Sequence, residues 1–136
     1  MGIETDVHKY RHGTPMIFIV MFCKADKIRD FTYIQNFEVE GLTFRTASAG
    51  LYSNQINDEG ISYITCECPV RMDSAAWADP QSIVKSVWAE CKRMTVVSED
   101  AELFDHVAVK IPVTFKPAKV GFEQKVAELG EQMSQK

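Results

Sequence analysis

Histidine is scarce in this chain, and the residues that carry common chemistries are not arranged for them. Only His8, His12 and His106 are present among 136 residues. There is no GxGxxG or Walker loop to cradle a phosphate. A GxSxG nucleophile elbow and an HExxH helix are equally absent. These absences argue against nucleotide hydrolysis, dinucleotide redox chemistry, and the common serine-hydrolase and zinc-protease mechanisms. Positive charge is also in deficit. Fifteen Lys and Arg face nineteen Asp and Glu, for a net charge of −4 and a pI near 5.4. Neutralising a nucleic-acid backbone needs a basic surplus on one face, so a nucleic-acid partner is not expected. The longest apolar run, residues 16–23, has eight residues, far short of the roughly 18 that a membrane-spanning helix requires. The first fifteen residues hold charges instead of the apolar core of a secretory signal. The expected setting is therefore the cytoplasm, without a membrane partner.

What is present is ordinary for a globular domain. Hydrophobic residues make up 46% and charged residues 25% of the chain. A chain of this length buries about two-thirds of its unfolded surface and needs no covalent staples. Residues 1–15 are polar, contain Gly13 and Pro15 and lack periodicity, so they read as an N-terminal arm. Residues 16–136 read as a single domain.

Residues 16–23 (MIFIVMFC) are apolar at odd and even positions alike, the pattern of a central strand buried on both faces. Phe31, Tyr33, Phe37 and Val39 then keep one parity, and after Gly41 the residues Leu42 and Phe44 keep the other. Gly41 is thus a bulge or a turn. Residues 54–60 (NQINDEG) form the clearest loop and join two antiparallel strands. Residues 61–68 (ISYITCEC) form the next strand. The best helix spans 79–94. It has Asp79 to cap it, Pro80 at its first position, and an apolar stripe of Ile83, Val84, Val87, Trp88, Cys91 and Met94. A short strand over 94–97 and a helical turn from Ser98 to Phe104 are expected next.

Residues 107–115 alternate without a fault. Val107, Val109, Ile111, Val113 and Phe115 are assigned to the core, and Ala108, Lys110, Pro112 and Thr114 to solvent. Pro112 cannot donate to a ladder, which makes this an edge strand. The last helix spans 118–133, with a narrow apolar seam of Phe122, Val126, Leu129 and Met133. The expected fold class is α+β: a mostly antiparallel sheet of about five or six strands, with the helices at about 80–94 and 118–133 packed on one face.

Four cysteines, Cys23, Cys66, Cys68 and Cys91, are the main metal candidates; His8 and His12, four apart, read instead as part of a solvated arm because no third ligand is near. The cysteine spacing does not fit the usual zinc knuckles, and free cysteine is most often a buried hydrophobe. No cofactor and no metal are therefore expected. Glu67, flanked by two cysteines, is the carboxylate of most interest, with a solvent-facing glutamate as the plainer assignment. Trp77 precedes the best helix in a run of small residues, where a tryptophan can anchor an interface.

The function expected from these features is that of a small, non-catalytic, adaptor- or chaperone-like interaction protein. It self-associates or binds another protein through Phe122, Val126, Leu129, Met133 and Trp77. One alternative is a small-molecule-binding or enzymatic domain with an apolar pocket under the last helix. The other is a structural component of a viral or phage assembly.

Overall fold

A computed structural model of the chain describes residues 6, 13–114 and 118–135. Five antiparallel strands form one sheet: β1 (Met16–Lys24), β2 (Tyr33–Gln35), β3 (Arg45–Ala47), β4 (Ile61–Pro69) and β5 (Asp105–Ile111). Their order across the sheet is β2-β3-β4-β1-β5. Four helices complete the fold: α1 (Ala49–Tyr52), α2 (Ala75–Ala78), α3 (Val84–Arg93) and α4 (Phe122–Ser134). The α+β class and the antiparallel sheet thus agree with the sequence pattern. Among the described residues no helix is long and apolar enough to cross a membrane.

The core lies between one face of the sheet and α3. Ile17, Ile19 and Met21 of β1 and Ile64, Cys66 and Cys68 of β4 alternate inward and are fully buried. They meet Val84, Val87, Trp88 and Cys91 of α3. Each large side chain buried in this layer contributes about 1.5–3 kcal/mol. The helix begins as its sequence suggests. Asp79 accepts a hydrogen bond from the Gln81 N–H at 3.1 Å, and Pro80 stands at the first position. The first turn, Pro80–Ile83, is a tighter 3-10 turn, and regular α geometry starts at Val84. Lys92 and Arg93 occupy the last turn, where positive charge favours the helix dipole.

Several local expectations change. Residues 37–40 are not strand. Gly41 belongs to the loop between β2 and β3, where its N–H bonds the Glu38 carbonyl at 3.1 Å. A Cβ at Gly41 would stand 2.5 Å from Asn36 Nδ2. Residues 94–97 supply only an isolated bridge between Ile28 and Val97, and residues 98–104 form no helix.

The largest correction concerns the alternating stretch. β5 does lie at one end of the sheet, and Pro112 stands just beyond it. Its described odd residues, however, do not enter the core: Val107 is 49% and Val109 47% exposed, and Phe115 lies outside the described residues. The cause is register. Val109 stands opposite Phe18, and Val107 opposite Val20, on the face of β1 turned away from α3. Pairing one residue out of step would exchange the two faces. Ala108 and Lys110 therefore lie on the helical side, where Lys110 Nζ sits 5.7 Å from the Trp77 ring centroid. β1 is corrected with it, since only one of its faces is fully buried. Phe18, Val20 and Phe22 stay half-buried.

Candidate functional site

Among the described residues the sheet's second face carries no helical layer like α3, only the short α1 at its border, and its residues line up in rows across the strands. One row runs Gln35, Arg45, Glu67, Phe18, Val109, and the next runs Tyr33, Ala47, Thr65, Val20, Val107. A third pairs Tyr63 with Phe22, whose ring centroids lie 5.9 Å apart. Above these rows lies an open groove of about 640 Å³, lined by Phe18, Val20, Phe22, Tyr33, Tyr52, Tyr63 and neighbours from β1 to β4 and α1. No residue of α4 lines it. Tyr33 and Tyr52 are 58% and 67% exposed, so the groove has soft aromatic walls with hydroxyl rims.

One end of the groove is charged. Arg45 Nε donates to Glu67 Oε1 at 2.9 Å, and its Nη2 reaches the same oxygen. Both side chains are partly covered, Arg45 39% and Glu67 14% exposed. Glu67 Oε2 is buried and accepts a hydrogen bond from no described residue. Glu67 is therefore the inner member of a cross-strand ion pair and not a solvated wet-face carboxylate. Among the groove residues, the Arg45 and Glu67 pair can orient a polar ligand group, while the walls suit apolar or aromatic surface.

A second polar feature lies at the margin of the fold. Glu90, on α3, is 2% exposed, unusual for a glutamate. Its carboxylate accepts from the Leu42 N–H and the Thr43 N–H, both at 2.8 Å, from Thr43 Oγ1 at 2.5 Å and from Asn36 Nδ2 at 3.1 Å. Burial alone would raise its pKa. The Leu42 N–H, then the Thr43 hydroxyl and N–H and the Asn36 amide, outweigh that and hold it below the usual glutamate value. Glu90 thereby fastens the β2–β3 loop to α3. That loop displays Phe37 and Val39, which are 83% and 96% exposed.

The cysteines converge only in part. Cys66 and Cys91 Sγ atoms are 3.6 Å apart, and all four thiols are free and buried. Burial pushes the Cys23 thiol up to about 11, and Cys68 and Cys91 are also raised. Protonated thiols are poor nucleophiles and poor ligands. Among the described residues no group of three or more His, Cys, Asp or Glu is placed to hold a metal ion. His106 Nε2 lies 2.5 Å from Gln81 Oε1 and so ties β5 to the Pro80–Ile83 turn; His8 and His12 lie outside the described residues.

No protein-family model matches this chain, and no curated protein matches it. Seven chains of solved structures do. One is the crystal structure of reduced UDP-galactopyranose mutase, with a TM-score of 0.71 at 11% sequence identity over 94% of this chain and 28% of that one. At that identity the likeness is one of fold alone. The chain spans little more than a quarter of the mutase chain.

The interface residues expected from sequence are scattered. Trp77 is half-buried, packed against the core cluster, and its backbone N–H donates to Ser74 Oγ at 3.1 Å. No residue of α4 is buried; Val126 is 45% and Met133 62% exposed, while Phe122 and Leu129 are half-buried. The open sheet face, with its Arg45–Glu67 pair, was not singled out from sequence. Its only signal there is the apolar even parity of β1, which is indistinguishable from full burial until strand pairing is known.

Proposed function

We propose that this chain is a non-catalytic interaction domain that docks a protein surface on its open sheet face. The observation that carries this reading is the patch of half-buried and exposed apolar side chains, Phe18, Val20, Phe22, Val107 and Val109, on a face that α3 does not cover. Contiguous apolar surface of this kind marks interaction sites. The scarcity of paired catalytic groups supports a domain that contributes binding and not chemistry. A cytoplasmic setting, where thiols are kept reduced, suits the four free cysteines.

For the isolated chain, the nearest available partner is a second copy. Sedimentation velocity over a concentration series is expected to show reversible association, with uptake of an environment-sensitive apolar dye. Val20→Lys with Val109→Lys is expected to abolish both while leaving circular dichroism unchanged. A wild-type chain that stays monomeric and takes up no dye refutes the reading. Val126→Asp with Leu129→Asp separates the α4 seam from the sheet face as the contact.

A second reading has its own observation. The groove ends in the Arg45–Glu67 pair, which suits a small molecule with an apolar or aromatic body and a polar end. On this reading the docked body forms the opposite wall of a ligand cleft. Arg45→Met is then expected to weaken ligand binding without altering protein association.

A further inference from the structure

The Cys66 and Cys91 thiols have no part in the docking face, yet they are brought together from two different elements. Cys66 projects inward from β4, and Cys91 projects from α3 onto it; both are 0% exposed. Their sulfurs are 3.6 Å apart although the residues are 25 apart in sequence. A disulfide needs about 2.05 Å, so an approach of roughly 1.6 Å between a helix and a strand closes the bond. Cys68 is a poorer partner for Cys66, because two residues on the same face of one extended strand cannot reach disulfide geometry without bending the backbone.

We propose that Cys66 and Cys91 form an oxidisable dithiol, converted by a low-molecular-weight disulfide into a covalent staple between β4 and α3. The step is ordinary thiol–disulfide exchange. One protein thiolate attacks glutathione disulfide, forming a mixed disulfide and releasing one glutathione thiol, which takes up the proton that the protein lost. The second protein thiolate attacks the protein-side sulfur, closing the Cys66–Cys91 bond and releasing a second glutathione thiol. Two protein thiols are oxidised and one glutathione disulfide is reduced.

The closed fold restrains this reaction. The hydrogen bond between the two thiols, together with burial, keeps Cys91 protonated, and glutathione cannot reach a fully buried sulfur. Oxidation therefore waits on local opening of α3, and its rate follows the opening equilibrium. Closure has a directed consequence. Cys91 follows Glu90, whose carboxylate holds the Leu42 and Thr43 amides. Stapling α3 to the sheet steadies that anchor, and with it the loop that displays Phe37 and Val39.

The folded protein is incubated with glutathione disulfide over a series of low urea concentrations, alkylated and analysed by mass spectrometry. The expected product has lost two hydrogens and carries one cross-link between the peptides containing Cys66 and Cys91. Its formation rate rises with urea below the global transition. After removal of urea, the melting temperature is expected to rise by roughly 5 °C, and hydrogen exchange at Leu42 and Thr43 to slow. Cys23→Ala and Cys68→Ala are expected to oxidise like wild type, and Cys91→Ala not to cross-link. A chain that stays fully reduced, forms another pairing, accumulates glutathione adducts without closing, or melts lower when oxidised overturns the proposal.

Discussion

Replacing Glu90 tests whether a buried carboxylate holds the β2–β3 loop. Four donors converge on it, three of them within 2.8 Å. Summing four charge-assisted hydrogen bonds at about 1.5–3 kcal/mol each would overstate the effect, because they share one acceptor group and are not independent. The unfavourable part is what remains behind. Thr43 is 3% exposed, so its N–H and hydroxyl lose their acceptor without gaining water, at roughly 1–3 kcal/mol for each unsatisfied group. Leu42 is 36% exposed, and its N–H is partly rehydrated. Glu90→Ala is thus expected to destabilise by about 3–5 kcal/mol, from the unsatisfied Thr43 donors together with the packing lost with the side chain. Glu90→Gln keeps one carbonyl oxygen but turns an NH₂ toward a donor, and about 2–3 kcal/mol is expected. Urea unfolding at constant m-value measures both.

The pH dependence sharpens the test. The folded-state pKa of Glu90 is depressed below its ordinary value of 4.5. Its contribution is therefore present above pH 4.5 and is lost as pH falls through the folded value. The gap between wild type and Glu90→Gln is expected to be full at pH 7 and to narrow in the acid range. A gap below about 0.5 kcal/mol at neutral pH, or one indifferent to acid, would refute the clamp.

Other outcomes follow from the same structure. Ile19 and Val20 are neighbours on opposite faces of β1, so Ile19→Ala should cost about 2–5 kcal/mol in chemical denaturation, whereas Val20→Lys with Val109→Lys should cost under about 1 kcal/mol. Val126→Asp with Leu129→Asp should leave a cooperative transition within about 1 kcal/mol of wild type, since α4 buries no residue; loss of folding would show that the seam belongs to the core. Burial raises the Cys23 thiol from 9.0 to about 11, so the folded state holds its proton more tightly. That contribution is complete below pH 9 and is lost between pH 9 and 11. Cys23→Ala should accordingly flatten the alkaline limb of a stability-versus-pH curve.

Local signals were legible where one residue type has one mechanical use. Asp79-Pro80 starts a helix because a carboxylate accepts a free N–H and proline needs none. The stripe from Ile83 to Met94 is the α3 core face because helical spacing leaves it no other arrangement. Pro112 marks where β5 ends, one residue past its last pair with β1, because it has no donor to continue the ladder. The open face was not legible, because alternation in β5 states that its faces differ without stating which one meets the helix. Glu90 was hidden for a similar reason: its partners, Asn36, Leu42 and Thr43, are 54, 48 and 47 residues away in sequence.

By itself, then, the sequence determined the class of fold, the positions of most strands and of the main helix, and the lack of familiar catalytic motifs. These depend on periodicity, caps and composition, which are properties of neighbouring residues. Only the tertiary structure decided which sheet face became core, that Arg45 meets Glu67, that Cys66 meets Cys91 and that α4 places no residue fully inside. Those depend on strand register and on contacts across long loops. Shifting β5 by one residue against β1 would reverse its faces without changing a single local preference.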